Sequence, residues 1–315
     1  MKSIKIATNG VPHDYRSSLL PIVIESMGYQ IDWVNSDAAD LLILGPFYDK
    51  NQKPHRWCPK PLRPLLSKSI EALSTNKKQG PLRLFHTQEN ERHDYIDADY
   101  SISFDLGVLS NHHFRFPYWM EMLDWSDEGV TGNVNPRYGE LLNVSTLMSP
   151  LGDRYLKRGG KCAMLSSHLR EPRGSLFKAL EKVVPTQGFG AFFNKEIKDH
   201  HSSGFLKKDV LKEFSYNLCP ENGLYPGYYT EKIPEAFYSG CLPITWADEN
   251  IVADFNSRAF LNLEPLFKSD FRELPDILLT QERLESYQSE PLLLSRPSLE
   301  PLKQYLRQIL SEATS

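Results

Sequence analysis

The alternation of short apolar runs with helical segments constrains the fold of this chain more than any other feature. Runs such as "SIKIAT", "YQIDWV", "ADLLILGPF", "LRLFHT" and "YSISFDL" read as strands, and "YRSSLLPIVIESMG" and "PLRPLLSKSIEALS" have helical periodicity. Pro21 should kink the first helix or mark its true start. Short apolar strands alternating with helices are typical of a parallel sheet that is covered on both faces. The first half therefore predicts an α/β domain.

The second half repeats this alternation after a loop-rich stretch. Residues 124–158 are richer in Gly, Asn, Pro and Asp, so we place a domain boundary near residue 150. Beyond it, "KCAMLSS", "YNLCPE", "LPITW" and "AFLNL" read as strands, and "GSLFKALEKV", "KKDVLKEF" and "PEAFYSG" as helices. We predict two Rossmann-like domains, residues 1–150 and 151–315, with a ligand cleft between them.

Composition and charge exclude several classes of function. The 315 residues are 40% hydrophobic and 24% charged, which is typical of a globular protein. A net charge of −4 provides no basic field for nucleic acid or an anionic membrane, so an anionic ligand needs a local basic pocket. No apolar run reaches the roughly 20 residues of a membrane-spanning helix. The start "MKSIKIATNG" lacks the apolar core of a signal peptide.

The cysteines and the C-terminal tail indicate the cellular location that we expect for the protein. The cysteines show no CxxC spacing, and we interpret them as reduced and structural; they are Cys58, Cys162, Cys219 and Cys241. The tail "SLEPLKQYLRQILSEA" has an apolar helical face and a polar face of mixed charge, which favours packing on the protein over membrane binding. We expect a cytoplasmic protein, with peripheral contact at the inner face of the membrane left open.

Several short patterns resemble motifs of phosphate or metal sites, but we do not interpret them as such sites. "GGKC" at Gly159–Cys162 lacks the spacing and the Ser/Thr of a P-loop, and no GxGxxG follows a predicted strand. Asp97 and Asp99 could share a divalent cation with a diphosphate, but we favour local hydrogen bonding beside a turn. The pairs His112–His113 and His200–His201 lack a third ligand at useful spacing, and we interpret them as surface histidines. We predict no metal site.

The segment "CPENGLYPGYYTEKIPEAFYSGCLPITW", Cys219–Trp246, carries more polar groups than a core element needs. Pro234 has no backbone N–H to donate, so it belongs in the first turn of a helix that begins near Glu231 and Lys232. Gly240 suits the end of that helix. A helix start with free amides and a lysine is typical of a site for phosphate or diphosphate.

The polar residues of this segment divide by charge. Lys232 would face the anion, whereas Glu231 would repel it and suits sugar hydroxyls such as a ribose diol. Asn222 can donate and accept around the same ligand, and Tyr228 offers a ring face and a hydroxyl. Alternatively, Glu231 and Lys232 are solvated residues at a helix start and bind no ligand.

Two arginines favour the functional interpretation. Arg170 and Arg173 follow the strand "KCAMLSS" in the same half of the chain. Strand carboxyl ends of one α/β domain meet at one edge of its sheet, so these cations can reach the same ligand. A guanidinium binds a diphosphate through two hydrogen bonds at once.

"YNLCPENGLYPGYYTEKIPEAFYSGCLPITW…DFNSRAFLNL" resembles the donor-binding signature of the α-1,3-fucosyltransferases, which transfer L-fucose from GDP-fucose. The family pattern is close to Y-x-F-x-L-x-F-E-N, G-Y-x-T-E-K, A-F-x-x-G-x-x-P-I-x-W and D-F-N, and the match is gapless around Glu221–Lys232. "SSHLREPRGSLFKAL" is similar to the family's arginine-bearing turn, and "LFHTQENERHDYIDADYSISFDL" with "FRFPYW" to its N-terminal catalytic segment. The resemblance touches most of residues 82–263.

The resemblance implies a GT-B fold with the acceptor in the N-terminal half and GDP-fucose in the C-terminal half. Arg173 and Lys232 would hold the diphosphate, Glu231 the ribose, and Asn222 and Tyr228 the rest of the donor. The implied reaction is inverting transfer to a glycan that contains N-acetylglucosamine or glucose, with no metal or other cofactor required.

The resemblance also implies roles in the N-terminal half. Glu89, in "TQEN", would be the general base that takes the proton of the acceptor hydroxyl. Side chains that contact the acceptor would include His93, Tyr95 and Trp119.

The chain departs from the family pattern at two places. Pro220 replaces the aromatic residue before "EN", and Asp248 and Glu249 replace the "S-P" of W-G-S-P, which would put two acids near the donor. The loop "QGFGAFFNKEI" lacks the family's more basic glycine-rich stretch. These departures leave two alternatives: a same-fold enzyme that uses another nucleotide-sugar, and a catalytically silent protein that binds a nucleotide or glycan.

Overall fold

The computed structural model describes residues 2–48, 80–190, 192–193 and 206–315. These residues belong to two compact α/β units. The first unit comprises Met1–Ser103, Gly107–Phe116 and Glu300–Ser315, and the second comprises Phe104–Leu106 and Pro117–Leu299. The division therefore falls near residue 116 rather than near residue 150, and the C-terminal helix groups with the first unit instead of the second.

The first unit contains a six-stranded sheet in the order β2-β1-β3-β4-β5-β6, and every neighbouring pair is parallel. Its strands are β1 Lys2–Asn9, β2 Tyr29–Trp33, β3 Leu41–Leu44, β4 Leu82–His86, β5 Tyr100–Ser103 and β6 His113–Arg115. The first five are confirmed, whereas β6 was not predicted. The helix predicted in "PLRPLLSKSIEALS" lies outside the described residues.

The second unit contains a five-stranded parallel sheet in the order β11-β10-β9-β7-β8. Its strands are β7 Cys162–Leu165, β8 Thr186–Phe189, β9 Tyr216–Leu218, β10 Leu242–Thr245 and β11 Leu261–Asn262. Only β8 was not predicted, because it lies in a stretch that reads as a glycine-containing loop. The predicted α/β class with two parallel sheets is confirmed.

Helices cover these sheets. They are α1 Leu19–Ser26, α2 Val144–Leu147, α3 Arg173–Glu181, α4 Lys207–Leu211, α5 Lys232–Tyr238, α6 Glu264–Phe267, α7 Leu274–Leu279, α8 Gln281–Glu285 and α9 Glu300–Ala313. Pro21 occupies the third position of α1, so it marks the helix start, as one of the two predictions had it. Helix α9 buries Leu302, Leu306, Ile309 and Leu310, and this confirms that the tail packs on the protein.

The two sheets share one topology around their first strand. In the first unit β1 lies between β2 and β3, and in the second β7 lies between β8 and β9. In each sheet the chain connections on the two sides of the first strand run in opposite directions. The resulting switch point lies between β1 and β3 in the first unit and between β7 and β9 in the second. Ligands of doubly wound folds bind at the strand carboxyl ends beside such a point.

The interior is apolar, and the described cysteines lie in it. Cys162, Cys219 and Cys241 are free and at most 5% exposed, in agreement with the prediction of reduced, structural thiols. Cys58 lies outside the described residues. Burial raises the pKa of all three thiols, so they stay protonated at neutral pH. Within the described ranges, no helix combines the length and apolarity that crossing a membrane requires.

Candidate active site

The switch point of the second unit brings Arg173 and Asn222 together. Arg173 is the first residue of α3, which follows β7, and Asn222 lies in the turn after β9. Because β7 and β9 are sheet neighbours, these turns meet, and the Arg173 Nη2 donates to Asn222 Oδ1. The Asn222 amide in turn lies 3.4 Å from the Tyr228 hydroxyl. Three of the five residues predicted to bind the donor therefore form one chain of hydrogen bonds.

The Arg173 guanidinium is held from several sides. It is 8% exposed, its Nη1 donates to Ser166 Oγ at 2.9 Å, and the same nitrogen lies 3.3 Å from His168 Nε2. Burial lowers the pKa of Arg173, with partial compensation by nearby Glu221. Arg170, the other predicted cation, is an exposed residue whose backbone carbonyl accepts from the Arg173 amide. Arg173 is therefore the better placed of the two for a ligand at the switch point.

Lys232 is paired with a buried carboxylate that the sequence did not single out. The Lys232 Nζ lies 3.0 Å from Glu221 Oε2, and Thr230 donates to the same carboxylate from its amide at 2.8 Å and its hydroxyl. The Glu221 side chain is fully buried. Burial lowers the pKa of Lys232, but Glu221 and Glu231 outweigh this effect and raise it. Glu221 was visible only as part of the matched "PEN".

Helix α5 begins where Pro234 predicted. Its first residue is Lys232, with Glu231 at the N-cap and Pro234 at the third position. It ends at Tyr238, and Gly240 follows with φ +76°, which confirms the predicted stop. Burial raises the pKa of Glu231, but Lys232 and Lys207 outweigh this effect and lower it well below its usual value. The Glu231 carboxylate therefore stays ionised and can accept hydrogen bonds.

Tyr228 differs from its predicted presentation. The residue is 3% exposed, and its ring meets Phe104 edge-on at 4.9 Å. Next to it, Gly227 has φ +94°, and a Cβ there would lie 2.2 Å from the Phe104 carbonyl oxygen. The ring is consequently used for packing, and the hydroxyl is the part that contacts Asn222, another residue predicted to bind the donor.

The two departures from the family pattern have local structural roles. The Cys219 and Glu221 amides both donate to carbonyls at the end of β10, so a proline between them removes no bond to that strand. Asp248 caps the helical turn Glu249–Ala253 by accepting from the Asn250 amide, and it also accepts from the Tyr229 hydroxyl. Asp248 therefore makes local hydrogen bonds within the second unit.

Glu89 lies in the first unit, on the turn that follows β4. Glu89 is exposed, and its backbone amide donates to Thr87 Oγ1 at 3.1 Å. The Thr87 hydroxyl in turn donates to the Glu89 carbonyl. Thr87 itself is 2% exposed, and its amide donates to the Ile102 carbonyl of β5. The buried Thr87 thus anchors the turn, and Glu89 is exposed to solvent on it.

The residues predicted to contact the acceptor belong to different units. His93 and Tyr95 lie in the first unit and pack on His113 at 5.1 Å and on Phe85 at 6.1 Å. Trp119 belongs to the second unit, where it is 4% exposed and its indole N–H donates to Asp254 at 3.2 Å. Trp119 therefore packs within the second unit, and its role towards the acceptor stays a prediction.

The acids and histidines that suggested a metal have other partners. Asp99 accepts from the Arg83 amide at 2.7 Å, and Asp97 lies 3.8 Å from the Arg83 guanidinium, as expected for local interactions. His112 is exposed as predicted, but His113 is 8% exposed and bonds Ser101, so its placement on the surface was wrong. His200 and His201 lie outside the described residues. No cluster of three metal-ligating side chains occurs in the described part of the chain.

The fold is that of solved α1,3-fucosyltransferase structures. One of them, with GDP-fucose, matches 98% of this chain and 91% of its own length at a TM-score of 0.68 and 20% identity. Another, with GDP, matches 98% and 91% at a TM-score of 0.66 and 21% identity. This likeness covers both units.

A sequence comparison points to the same group. The chain is 28% identical over 204 residues, 59% of its length, to an α-(1,3)-fucosyltransferase, FucT, of Helicobacter pylori. The match spans 41% of that relative's length. No protein-family model matches the chain. The resemblance to α-1,3-fucosyltransferases seen in the sequence is thus confirmed by a relative and by the fold.

Proposed function

We propose that this protein is a GDP-fucose-dependent α-1,3-fucosyltransferase with a GT-B fold. The observation that carries the proposal is the contact of Arg173 with Asn222 across the turns that follow the adjacent strands β7 and β9. Glu231 and Lys232 begin helix α5, which follows β9 in the chain. Cations and a carboxylate at a switch point suit a nucleotide diphosphate and its ribose. The similar proteins named for this activity, including one solved with GDP-fucose, support the choice of donor.

In the proposed mechanism the donor site stabilises the leaving group. Arg173 and Lys232 lie against the diphosphate, Glu231 accepts from the ribose hydroxyls, and Asn222 and the Tyr228 hydroxyl contact the rest of the donor. As the bond between fucose C1 and the phosphate oxygen breaks, negative charge grows on GDP and the two cations stabilise it. Lys232 can shift part of its interaction from Glu221 to the phosphate, because its side chain remains 19% exposed.

The first unit would supply the base. The acceptor hydroxyl oxygen attacks C1 from the side opposite GDP, so the configuration inverts, and Glu89 takes the hydroxyl proton. His93 and Tyr95 would contact the acceptor, a glycan with N-acetylglucosamine or glucose. The cations make a metal unnecessary, so turnover should survive EDTA. We place the protein in the cytoplasm, with or without peripheral contact at the inner membrane face, and the free thiols support a reducing compartment.

Replacing the base tests this assignment. Glu89→Gln should lower turnover by about 10²–10⁴-fold, the usual contribution of a positioned base. GDP affinity, measured by calorimetry, should stay within about twofold because Glu89 is assigned to the acceptor side. Near-normal turnover would show that another group is the base. The matched control is Glu91→Gln, two residues further along the same turn.

A donor panel separates the proposal from its alternatives. Purified protein should transfer fucose from GDP-fucose onto an array of glycans and should prefer it to other nucleotide-sugars. Transfer from a different donor would favour a same-fold enzyme with another specificity. Binding of GDP without transfer, and without slow hydrolysis of GDP-fucose, would favour a silent binding protein.

A further inference from the structure

Lys207 lies between two carboxylates of helix α5. It is the first residue of α4, and its backbone amide donates to the Arg137 carbonyl at 3.0 Å. Its Nζ donates to Glu235 Oε2 and lies 4.0 Å from Glu231 Oε1. The Lys207 side chain is only 15% exposed. This lysine is absent from every motif in the sequence, yet it contacts a residue assigned to the donor.

The two carboxylates need a cation between them. Glu231 and Glu235 are separated by four positions, and the Glu235 amide donates to the Glu231 carbonyl at 3.0 Å, so their side chains lie on one face of the helix. Like charges at this spacing repel. Glu235 is completely buried, and burying a carboxylate requires a paired cation and hydrogen bonds. Lys207 supplies the charge, and Asn135 donates to the other Glu235 oxygen at 2.9 Å.

The two contacts of Lys207 have different consequences. Glu235 has both oxygens engaged and no exposed surface, so it is a structural anchor for the lysine. Glu231 is 16% exposed, and its 4.0 Å ion pair with Lys207 is too long for a hydrogen bond. Lys207 therefore attracts and orients the Glu231 carboxylate without occupying its acceptor positions.

We propose that Lys207 is a positioning residue of the donor site, which acts on the nucleotide ribose through the Glu231 carboxylate. The inference rests on the proposed function, because it takes Glu231 as the partner of the ribose diol. Lys207 holds this carboxylate in place before the donor arrives. Removing it should weaken the part of binding that depends on ribose hydroxyls and leave the diphosphate part nearly unchanged.

Lys208 provides a matched control on the same helix. Its Nζ lies 3.1 Å from Glu140, but their side chains are 30% and 46% exposed. Exposed ion pairs of this kind contribute little, because water screens them. Lys208→Met thus makes the same chemical change one residue away without touching Glu231.

The test compares GDP with 2′,3′-dideoxy-GDP by calorimetry on the full chain. Lys207→Met should lose about tenfold in affinity for GDP, the scale of one hydrogen bond to a charged group, and less than about threefold for the dideoxy nucleotide. Lys207→Arg, which keeps the charge, should recover most of the loss, and Lys208→Met should change neither affinity. If Lys207→Met fails to fold, the double variant Lys207→Met with Glu235→Gln removes the buried charge with its partner, and the same difference between nucleotides is expected.

The other outcomes distinguish what has failed. An equal loss for both nucleotides means that Lys207 supports the fold generally, and it overturns the inference alone. No loss for either nucleotide also overturns it. If the wild-type protein binds both nucleotides with equal affinity, Glu231 does not bind the ribose hydroxyls, and the inference is wrong. If the wild-type protein does not bind GDP, the proposed function itself is wrong.

Discussion

The switch points of the two sheets occupy the same topological position but are built from different residues. In the second unit the turns after β7 and β9 meet through Arg173 and Asn222 side chains. In the first unit the turns after β1 and β3 meet through backbone: the Gly45 amide donates to Asn9, and the Phe47 amide donates to the Gly10 carbonyl, both at 2.9 Å. One crevice holds polar side chains, whereas the other is closed by main chain.

Two glycines make that closure possible. Gly10 has φ +69°, and a Cβ there would lie 2.0 Å from the Tyr48 amide nitrogen. A Cβ on Gly45 would lie 2.4 Å from the Gly10 carbonyl oxygen. The doubly wound topology therefore provides an opening at each switch point, and local residues decide whether it can bind a ligand. The candidate base of the first unit lies elsewhere, at the end of β4.

The largest effect is expected from filling the closed switch point. Gly10→Ala should lower the free energy of unfolding by about 3–5 kcal/mol, because it adds left-handed strain to a clash with main chain that cannot move aside. Gly28→Ala is the control, since Gly28 has φ +87° but no atom within 4 Å of an added Cβ. It should lose only about 1–2 kcal/mol from strain. Urea unfolding measures both, and equal losses would contradict the close contact.

Breaking the buried pair of the second unit should cost less. Glu221→Gln removes the carboxylate that bonds Lys232 and leaves Glu231 as its other nearby anion. We expect a loss of about 2 kcal/mol, below the 3–5 typical of fully buried pairs, because Lys232 keeps this second partner and some exposure to water. Glu140→Gln breaks the exposed pair with Lys208 and should lose about 0–1 kcal/mol. Similar losses for the two variants in urea unfolding would show that burial does not strengthen the Glu221–Lys232 pair.

Acid should reveal the paired state of Glu231. Its pKa is lowered from 4.5 to about 2 in the folded protein, so its contribution to stability is present above pH 4.5 and is lost as pH falls towards 2. Glu231→Gln should therefore flatten the dependence of unfolding free energy on pH in this window. Glu249→Gln, an exposed carboxylate, is the control. An unchanged slope in Glu231→Gln would argue against the Lys207 and Lys232 interactions.

The smallest effect concerns the turn that carries Glu89. Thr87→Val removes the hydroxyl that bonds both the amide and the carbonyl of Glu89, and turnover should fall by about two- to tenfold, the usual value of one such interaction. Thr87→Ser keeps the hydroxyl and should retain turnover. Loss of turnover in both variants would indicate a packing role for the Thr87 methyl group instead.

Local sequence patterns predicted the individual strands and helices better than they predicted how the chain divides into two units. Short apolar runs identified most strands because a covered parallel sheet requires them, and Pro234 and Gly240 bounded α5 because each permits few backbone conformations. Strand β8 was missed because "TQGF" has no strand periodicity, and β6 because "HFR" contains a single apolar residue. The boundary near residue 150 followed loop composition, whereas the observed division depends on packing.

The sequence by itself determined the two parallel α/β halves and the start and stop of α5, because apolar runs, proline and glycine leave short-range signals. It also predicted the set Arg173, Asn222, Glu231 and Lys232 from its resemblance to a family pattern. Only the tertiary structure decided what holds that set in place. The contacts of Glu235 with Lys207 and with Asn135 join it to positions 28 and 100 residues away in the chain. No local pattern marks such partners, because a buried charge selects its counter-ion by distance in space.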